Sequence, residues 1–307
     1  MSAPFAIVTV IHDSEAELAA LLDSIERTLP DRPELVVVDS GSRDGGPELA
    51  RGWGAELVEL GANLGFGAGC NAGVARVATP VTALVNPDVE LPDDGLAKLA
   101  DDARDGSAIL APRLLNADGS VQDSAHPRPG TLEGLVPALV PRPLLPGRLR
   151  RRYEPWRSDD PRAVGWALGA CLVARTDLLL RLGPFDPGAF LFYEDLDLCM
   201  RAADAGVPTV LRPDVAVRHA GGTSVARALS GEALELRARR RRAVMAGRGR
   251  RALLLDDAAQ AATFATRAAV RALLRRGGSR ERAQLRALRA ARRKRAQPRA
   301  ARPGAGP

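Results

Sequence analysis

The chain has 307 residues, 46% of them hydrophobic but only 4% aromatic, which suits one large domain plus an appendage with a core of Leu, Val and Ala. Its net charge of +7 hides a segregation: residues 225–307 hold 22 arginines and one lysine against five acids, a net +18, so residues 1–224 carry −11. No run of about 18 apolar residues exists, Met1-Ser2-Ala3-Pro4 has no basic leader, and Cys70, Cys171 and Cys199 show no metal spacing. A transmembrane helix, a secretory signal and a disulfide scaffold are therefore not expected; reduced thiols in the cytoplasm are.

Phe5–Ile11 is a short apolar run that reads as a buried strand. Ser14 precedes a helix with Leu18, Leu21, Leu22 and Ile25 on one face, and Ser14 and Glu17 have capping-box spacing. Leu35–Val38 is a continuous Leu-Val-Val-Val strand, as parallel buried strands tend to be. A short helix over 47–53, a strand at Glu56–Leu60, a helix opened by glycines at Phe66–Ala78 and a strand at Val81–Val85 follow. Strand alternating with helix predicts an α/β fold with a doubly wound, mostly parallel sheet.

Past residue 108 the pattern changes. Asn116-Ala117-Asp118-Gly119 predicts a hairpin between Arg113–Leu115 and Ser120–Asp123. From His126 to Pro161 prolines and arginines accumulate, which reads as an irregular, mobile excursion. The sheet resumes at Ala163–Ala174, Thr176 caps a Leu-rich helix, and another helix runs from near Glu194 to Gly206. Thr209–Leu211 and Val215–Arg218 are the last strands. Beyond Ser224 the chain reads as Ala-, Leu- and Arg-rich helix, with a disordered tail from about Gln297.

Chemistry-bearing residues fall where strands end, and open α/β sheets bind ligands at the carboxyl ends of their strands. Asp39 follows the Val-Val-Val strand and could accept hydrogen bonds from a base or ribose; capping the next helix is the plainer reading, which Asp44 also fits. Asn63-Leu64-Gly65-Phe66-Gly67-Ala68-Gly69-Cys70-Asn71 is a glycine-rich helix entry whose backbone N–H groups could approach a diphosphate. Its spacing matches neither the Walker loop nor the dinucleotide fingerprint. Asn86-Pro87-Asp88 offers one carboxylate, enough for a magnesium ion that takes its other oxygens from phosphates, or else a simple turn.

Phe185-Asp186 and Phe190-Leu191-Phe192-Tyr193-Glu194-Asp195-Leu196-Asp197 set three acids within four residues beside four aromatics. Aromatic neighbours raise a carboxylate's basicity while a helix N-terminus favours its anion, a balance suited to a general base. A charged helix start is the bland alternative, and Asp197 is spaced to pair with Arg201. His219 precedes Ala220-Gly221-Gly222-Thr223-Ser224.

Together these motifs resemble the family 2 glycosyltransferases, and within them the rhamnosyltransferase-like branch. The resemblance covers residues 1–224 and implies a GT-A catalytic domain there, followed by a basic helical region over 225–307. It implies nucleotide-sugar contacts from Thr9, His12, Asp13, Asp39, Asn63, Gly65, Asn71, Asn86 and Asp88. It implies Mg2+ or Mn2+ on Asp88 and His219, with Asn86 departing from the Asp-x-Asp motif by lacking an anionic ligand. Trp166, Gly169 and Glu194 would lie on the acceptor side, Trp166 as a sugar platform or simply as core. Asp195 would be the general base of an inverting transfer. The implied donor is dTDP-rhamnose or a similar deoxysugar, and the acceptor a lipid-diphosphate-linked or polysaccharide glycan of the cell envelope. A nucleotidyltransferase would want a glycine-rich basic loop, yet residues 5–15 hold no glycine, lysine or arginine. A non-catalytic nucleotide-sugar or polyanion binder would not need Asp88 and Asp195. The basic C-terminal region predicts reversible attachment to an anionic membrane on its cytoplasmic face, a solvated tail being the alternative. Nucleic acid is not the expected partner, because Phe264 is the sole aromatic there.

Overall fold

The computed structural model describes residues 5–140, 145–183, 185–186, 190–221, 232–275 and 277–293. It divides into two units, one of residues 1–127 and 151–228, the other of 128–150 and 229–307.

The first unit is built on a sheet whose first two strands are almost wholly buried because both faces are covered. In β1 (Ala6–Ile11), Ile7 and Ile11 enter one core layer while Val8 and Val10 enter the other. β2 (Glu34–Asp39) splits likewise, Val37 against Val36 and Val38. The first layer is closed by α1 (Glu15–Thr28), α2 (Gly46–Trp53) and, further along the chain, α4 (Gly95–Asp105). α3 (Phe66–Val74) closes the second with α7 (Thr176–Leu182) and α8 (Glu194–Asp204). Fully burying one Leu, Ile or Val contributes about 1.5–3 kcal/mol, so these layers supply a core that few aromatics help to fill.

The remaining strands are β3 (Glu56–Glu59), β4 (Val81–Val85), β5 (Val89–Glu90), β6 (Ile109–Leu115), β7 (Ala125–His126), β8 (Arg162–Val164), β9 (Trp166–Ala167), β10 (Cys171–Arg175) and β11 (Thr209–His219). The main sheet runs β3-β2-β1-β4-β10-β6-β11-β5, with β8 also on β11, while β7 and β9 pair separately. β3, β2, β1 and β4 are parallel neighbours, as are β6 and β11. β10 is inserted antiparallel between β4 and β6, so the mostly parallel sheet has one long reversed strand at its centre.

Local differences from the sequence reading have identifiable causes. Ser14 is the N-cap residue of α1 but makes no cap hydrogen bond; its hydroxyl turns back to the His12 carbonyl. The cap comes from the next loop, where Asp44 accepts the Glu15 N–H at 2.7 Å. Thr176 is not a cap either: its hydroxyl donates to the Thr79 carbonyl and meets Thr82. The two last strands are one strand, interrupted by a register shift between Arg212 and Ala216 around Pro213, which has no N–H for the ladder. The hairpin after β6 closes through Gly119 in the left-handed region, but its return arm makes a single bridge, Leu115 to Val121.

The second unit contains α5 (Val136–Leu139), α9 (Glu232–Ala246), α10 (Arg250–Leu273) and α11 (Ser279–Arg293), while α6 (Gly147–Tyr153) leads the chain back to the first unit. Among its described residues the proline-rich excursion carries short helices. Gly130, at φ +72°, packs so that an added Cβ would lie 3.0 Å from the Ala252 carbonyl oxygen, and the Ala138 carbonyl accepts the Thr266 hydroxyl. Among the described helices none is long and apolar enough to cross a membrane. Gly222–Ser224 and the tail from Gln297 lie outside the described residues.

Candidate active site

Three clusters follow one another along the carboxyl edge of the sheet. At the ends of β1, β2 and β3 lies an open cleft of about 690 Å³ lined by His12, Asp13, Asp39, Ser42, Arg43 and Asn63, among others. His12 Nδ1 donates to the Ser40 carbonyl, which aligns the ring. Asp13, at φ +50°, accepts the Arg43 N–H and ties the two loops together. Asp39 is buried and accepts the Ser42 N–H at 2.8 Å. Asn63 Oδ1 accepts the Gly65 N–H and the Ser40 hydroxyl. Thr9 is buried within β1, its hydroxyl without a hydrogen-bond partner. Glu59 completes the cleft and was not legible in the sequence, since it belongs to no recognisable motif.

The second cluster begins at Gly65, whose φ of +89° suits glycine and whose absent Cβ would stand 2.1 Å from the Phe190 carbonyl oxygen. This close approach brings the glycine-rich entry of α3 against the aromatic segment before α8. Asn71 holds the same segment by a reciprocal pair, donating to the Phe185 carbonyl and accepting the Phe185 N–H. Phe66 and Phe185 meet edge-on. Asn71 is thus a positioning residue in this geometry.

Phe192 and Tyr193 both have positive φ, at 73° and 65°. Among the described residues four non-glycines do so, and three of them, with Asp13, border the site. Backbone strain of about 1–3 kcal/mol per residue persists where the surroundings over-determine it, commonly at active sites. Here it turns Glu194 and Asp195 onto the first turn of α8. Asp195 Oδ2 accepts the Gly169 N–H at 3.0 Å, and a Cβ on Gly169 would crowd Asp195 at 3.3 Å. That hydrogen bond and the helix N-terminus both stabilise a carboxylate. Asp197 pairs with Arg201 at 2.8 Å, as its spacing predicted. Trp166 is 6% exposed, stacks on His126 at 4.4 Å and faces Tyr193 at 6.1 Å. It supports the aromatic wall from beneath more than it offers an open platform.

The third cluster is joined to the second by a backbone hydrogen bond beside Gly169. The Asn86 N–H donates to the Ala170 carbonyl, so the Asn-Pro-Asp turn is fastened to the segment that carries Gly169. Asn86 Oδ1 is buried without a hydrogen-bond partner. Asp88 Oδ1 faces His219 Nε2 at 3.4 Å, and the Ala220 N–H donates to the Asp88 carbonyl. His219 Nδ1 meets Gln122 Oε1 at 2.9 Å, while Gln122 Nε2 donates to Asn116 Oδ1. Asn116 orients the Gln122 amide so that its Oε1 faces the ring; that oxygen can only accept, so Nδ1 is the donor and Nε2 is the nitrogen turned toward Asp88. Gln122 was missed by the sequence reading because a neutral amide after a hairpin turn carries no signal of its own.

Among the described residues no three His, Cys, Asp or Glu side chains form a metal cluster. Asp88 and His219 nonetheless fit a divalent cation that draws its remaining ligands from a diphosphate, since two ligands of an octahedral ion stand about 3 Å apart. The three cysteines are buried free thiols. Burial, then the Glu194 carboxylate, raises the Cys70 thiol well above its usual range, and burial pushes Cys171 up to about 12.

A mostly parallel sheet of this topology, with Asp39 and Asp88 following its strands and Asp195 on a nearby helix start, has the architecture of a GT-A fold. The family model for glycosyl transferase family 2 matches residues 6–165, and that for glycosyltransferase-like family 2 matches 149–247. The chain is 30% identical over 233 residues to the N-acetylglucosaminyl-diphospho-decaprenol L-rhamnosyltransferase of Mycobacterium tuberculosis (strain CDC 1551 / Oshkosh), covering 69% of this chain and 75% of that one. It is 25% identical to the low-salt glycan biosynthesis hexosyltransferase Agl10 of Haloferax volcanii, over 64% of this chain and 60% of that protein. Its fold is similar to that of the mannosyltransferase PcManGT from Pyrobaculum calidifontis, solved with GDP-Man and Mn2+, at a TM-score of 0.60 and 19% identity over 96% and 87% of the two chains. The chain belongs to glycosyl transferase family 2, in its rhamnosyltransferase-like branch, and is a glycosyltransferase.

Proposed function

We propose that the enzyme transfers a sugar, with inversion, from a nucleoside-diphosphate donor to a hydroxyl of a lipid-diphosphate-linked glycan. The observation that carries this reading is Asp195, held by the Gly169 N–H on the first turn of α8 and joined through Ala170 and Asn86 to the Asp88–His219 pair. Asp195 takes the proton of the acceptor hydroxyl as that oxygen bonds to the anomeric carbon, and the bond from that carbon to the diphosphate oxygen breaks. The nucleoside sits in the cleft of His12, Asp13, Asp39 and Asn63, and a ribose hydroxyl satisfies Asn86 Oδ1. Asp88 and His219 would hold Mg2+ or Mn2+, which would supply charge neutralisation for the leaving diphosphate. The Mn2+ complex of the Pyrobaculum enzyme supports a divalent cation. The name of the mycobacterial relative supports a polyprenyl-diphosphate-linked acceptor and dTDP-rhamnose, or a related deoxysugar, as donor. An acceptor of that kind places the enzyme on the cytoplasmic face of the membrane, in cell-envelope glycan synthesis.

The test combines a panel of nucleotide-sugars with a detergent-dispersed polyprenyl-diphosphate acceptor and assigns the product's anomeric configuration by NMR. Asp195→Asn is expected to lower turnover by about 10²-fold or more while donor affinity, by calorimetry, stays within a few fold. Turnover near wild type in that variant removes Asp195 from the base role, and a retained configuration excludes inversion.

A further inference from the structure

In α10, Leu254, Ala258, Ala261, Ala265, Ala269 and Ala272 recur at three- and four-residue spacing, so they lie on one helical face. That face carries no charge over about five turns, although the region 225–307 has a net charge of +18. It is not core: all but the half-buried Ala261 are exposed, Leu254 at 55%. The excursion runs beside it, Gly130 at Ala252 and Ala138 at Thr266, and presents Leu132 and Leu139 at 60% and 63% exposure. Leu273, 84% exposed, closes the far end. Exposed arginines stand at both ends of the helix, Arg250 and Arg251 in its first turn and Arg275 just after it. The acids are directed inward: Asp256 is buried against Arg241, Asp257 against Arg242 and Arg292, and Glu281 against Arg271.

We propose that this surface of the second unit docks on an anionic lipid bilayer. Leu132, Leu139, Leu254 and Leu273 enter the boundary between head groups and acyl chains, the alanine face lies along it, and the flanking arginines bind lipid phosphates. Charge selects this occupant. A second copy of the chain would set two strongly cationic faces against each other, whereas an anionic bilayer offers both an apolar boundary and the opposite charge. The inference deepens the lipid-linked-acceptor reading and rests on it for its biological sense. It assigns the contact to four leucines as well as to arginines, two of the leucines, Leu132 and Leu139, coming from the excursion.

Flotation of the full-length protein with phosphatidylcholine vesicles, with and without phosphatidylglycerol, tests the proposal. Wild type is expected to float with anionic vesicles at physiological salt. Leu132→Ser, Leu139→Ser and Leu273→Ser together are expected to weaken partitioning by about tenfold or more without changing the melting temperature, since all three side chains are exposed. No flotation of wild type, or equal flotation of wild type and variant, overturns the proposal; so does a wild-type dimer that the triple variant abolishes, which would make this a self-association face. Turnover on the detergent-dispersed acceptor is measured in parallel. Its absence in wild type would sink the function while leaving the vesicle result to stand on its own, and equal turnover in wild type and variant confines the leucines to docking.

Discussion

Gln122 touches no reacting atom, yet it orients the side chain that faces Asp88. Its carbonyl oxygen accepts a hydrogen bond from His219 Nδ1 and its amide is fixed by Asn116, leaving Nε2 as the nitrogen that would meet a cation in the proposed site. Groups that orient a ligating histidine commonly account for 10–100-fold in metal affinity. Gln122→Ala is therefore expected to weaken Mn2+ binding by about that factor, read by calorimetry in the presence of a nucleoside diphosphate, with Gln122→Glu recovering part of it. Nitrogen NMR of His219 should show the Nδ1-protonated tautomer in wild type and a mixture in Gln122→Ala. Unchanged Mn2+ affinity together with an unchanged tautomer would show that Gln122 positions nothing. At this scale the charged candidates Asp39, Asp88 and Asp195 could be read from their places after strands or at a helix start. Gln122 and the Gly169 N–H could not, because their meaning comes from partners 97 and 26 residues away.

At the scale of elements, the first unit and the helical unit are held by different forces. The sheet layers bury aliphatic side chains on both faces. Among the described helices of the second unit, α9, α10 and α11 bury Met245, Leu288 and Ala291 but also Asp256, Asp257 and Glu281. Asp256 receives a two-pronged bond from Arg241 and another from Gln260. Removing one partner of a buried pair leaves an uncompensated charge, which costs about 3–5 kcal/mol, whereas replacing both by apolar side chains is often neutral. Asp256→Ala is thus expected to lower the stability of the helices by about 3 kcal/mol or more, measured by urea unfolding. The double replacement Arg241→Met with Asp256→Leu should recover most of that loss. Equal stability of wild type and Asp256→Ala would mean that the network does not hold the helices together. The helices themselves were legible from their Ala, Leu and Arg composition. Their charged interior was not, because a sequence of alternating arginines and alanines does not say which charges point inward.

For the whole molecule, three buried thiols give a pH dependence with a definite sign. Burial raises Cys171 to about 12 and Cys199 to about 11, the latter despite hydrogen bonds to Thr209 and Ala167, from an ordinary value of 9.0. The unfolded chain loses these protons first. The stabilisation is complete below pH 9 and is lost as pH rises through the native values, by on the order of 1.4 kcal/mol per pH unit for each thiol. Urea midpoints should fall from pH 9 upward, and more gently in Cys171→Ala than in wild type. Identical slopes in the two proteins would contradict the assignment. At neutral pH the same thiols are protonated and shielded, so alkylation of the native enzyme should be slow.

What the residues determine by themselves is the alternation of buried strands and amphipathic helices, and with it the α/β class. Apolar runs such as Val36–Val38 and Ala83–Val85 can be satisfied only by cover on both faces. The motifs Asn86–Asp88 and Glu194–Asp197 could also be picked out as candidates from their places, one after an apolar strand and one at a helix start. Tertiary structure decided the rest. It reversed β10 at the centre of the sheet, made one bulged strand of two, and moved the cap of α1 from Ser14 to Asp44. It also used Asn71 and Gly65 to brace the segment before Asp195. Each of these depends on which distant backbone arrives within hydrogen-bond or contact distance. Local propensity and spacing do not encode that distance; packing the chain into two layers about one sheet does.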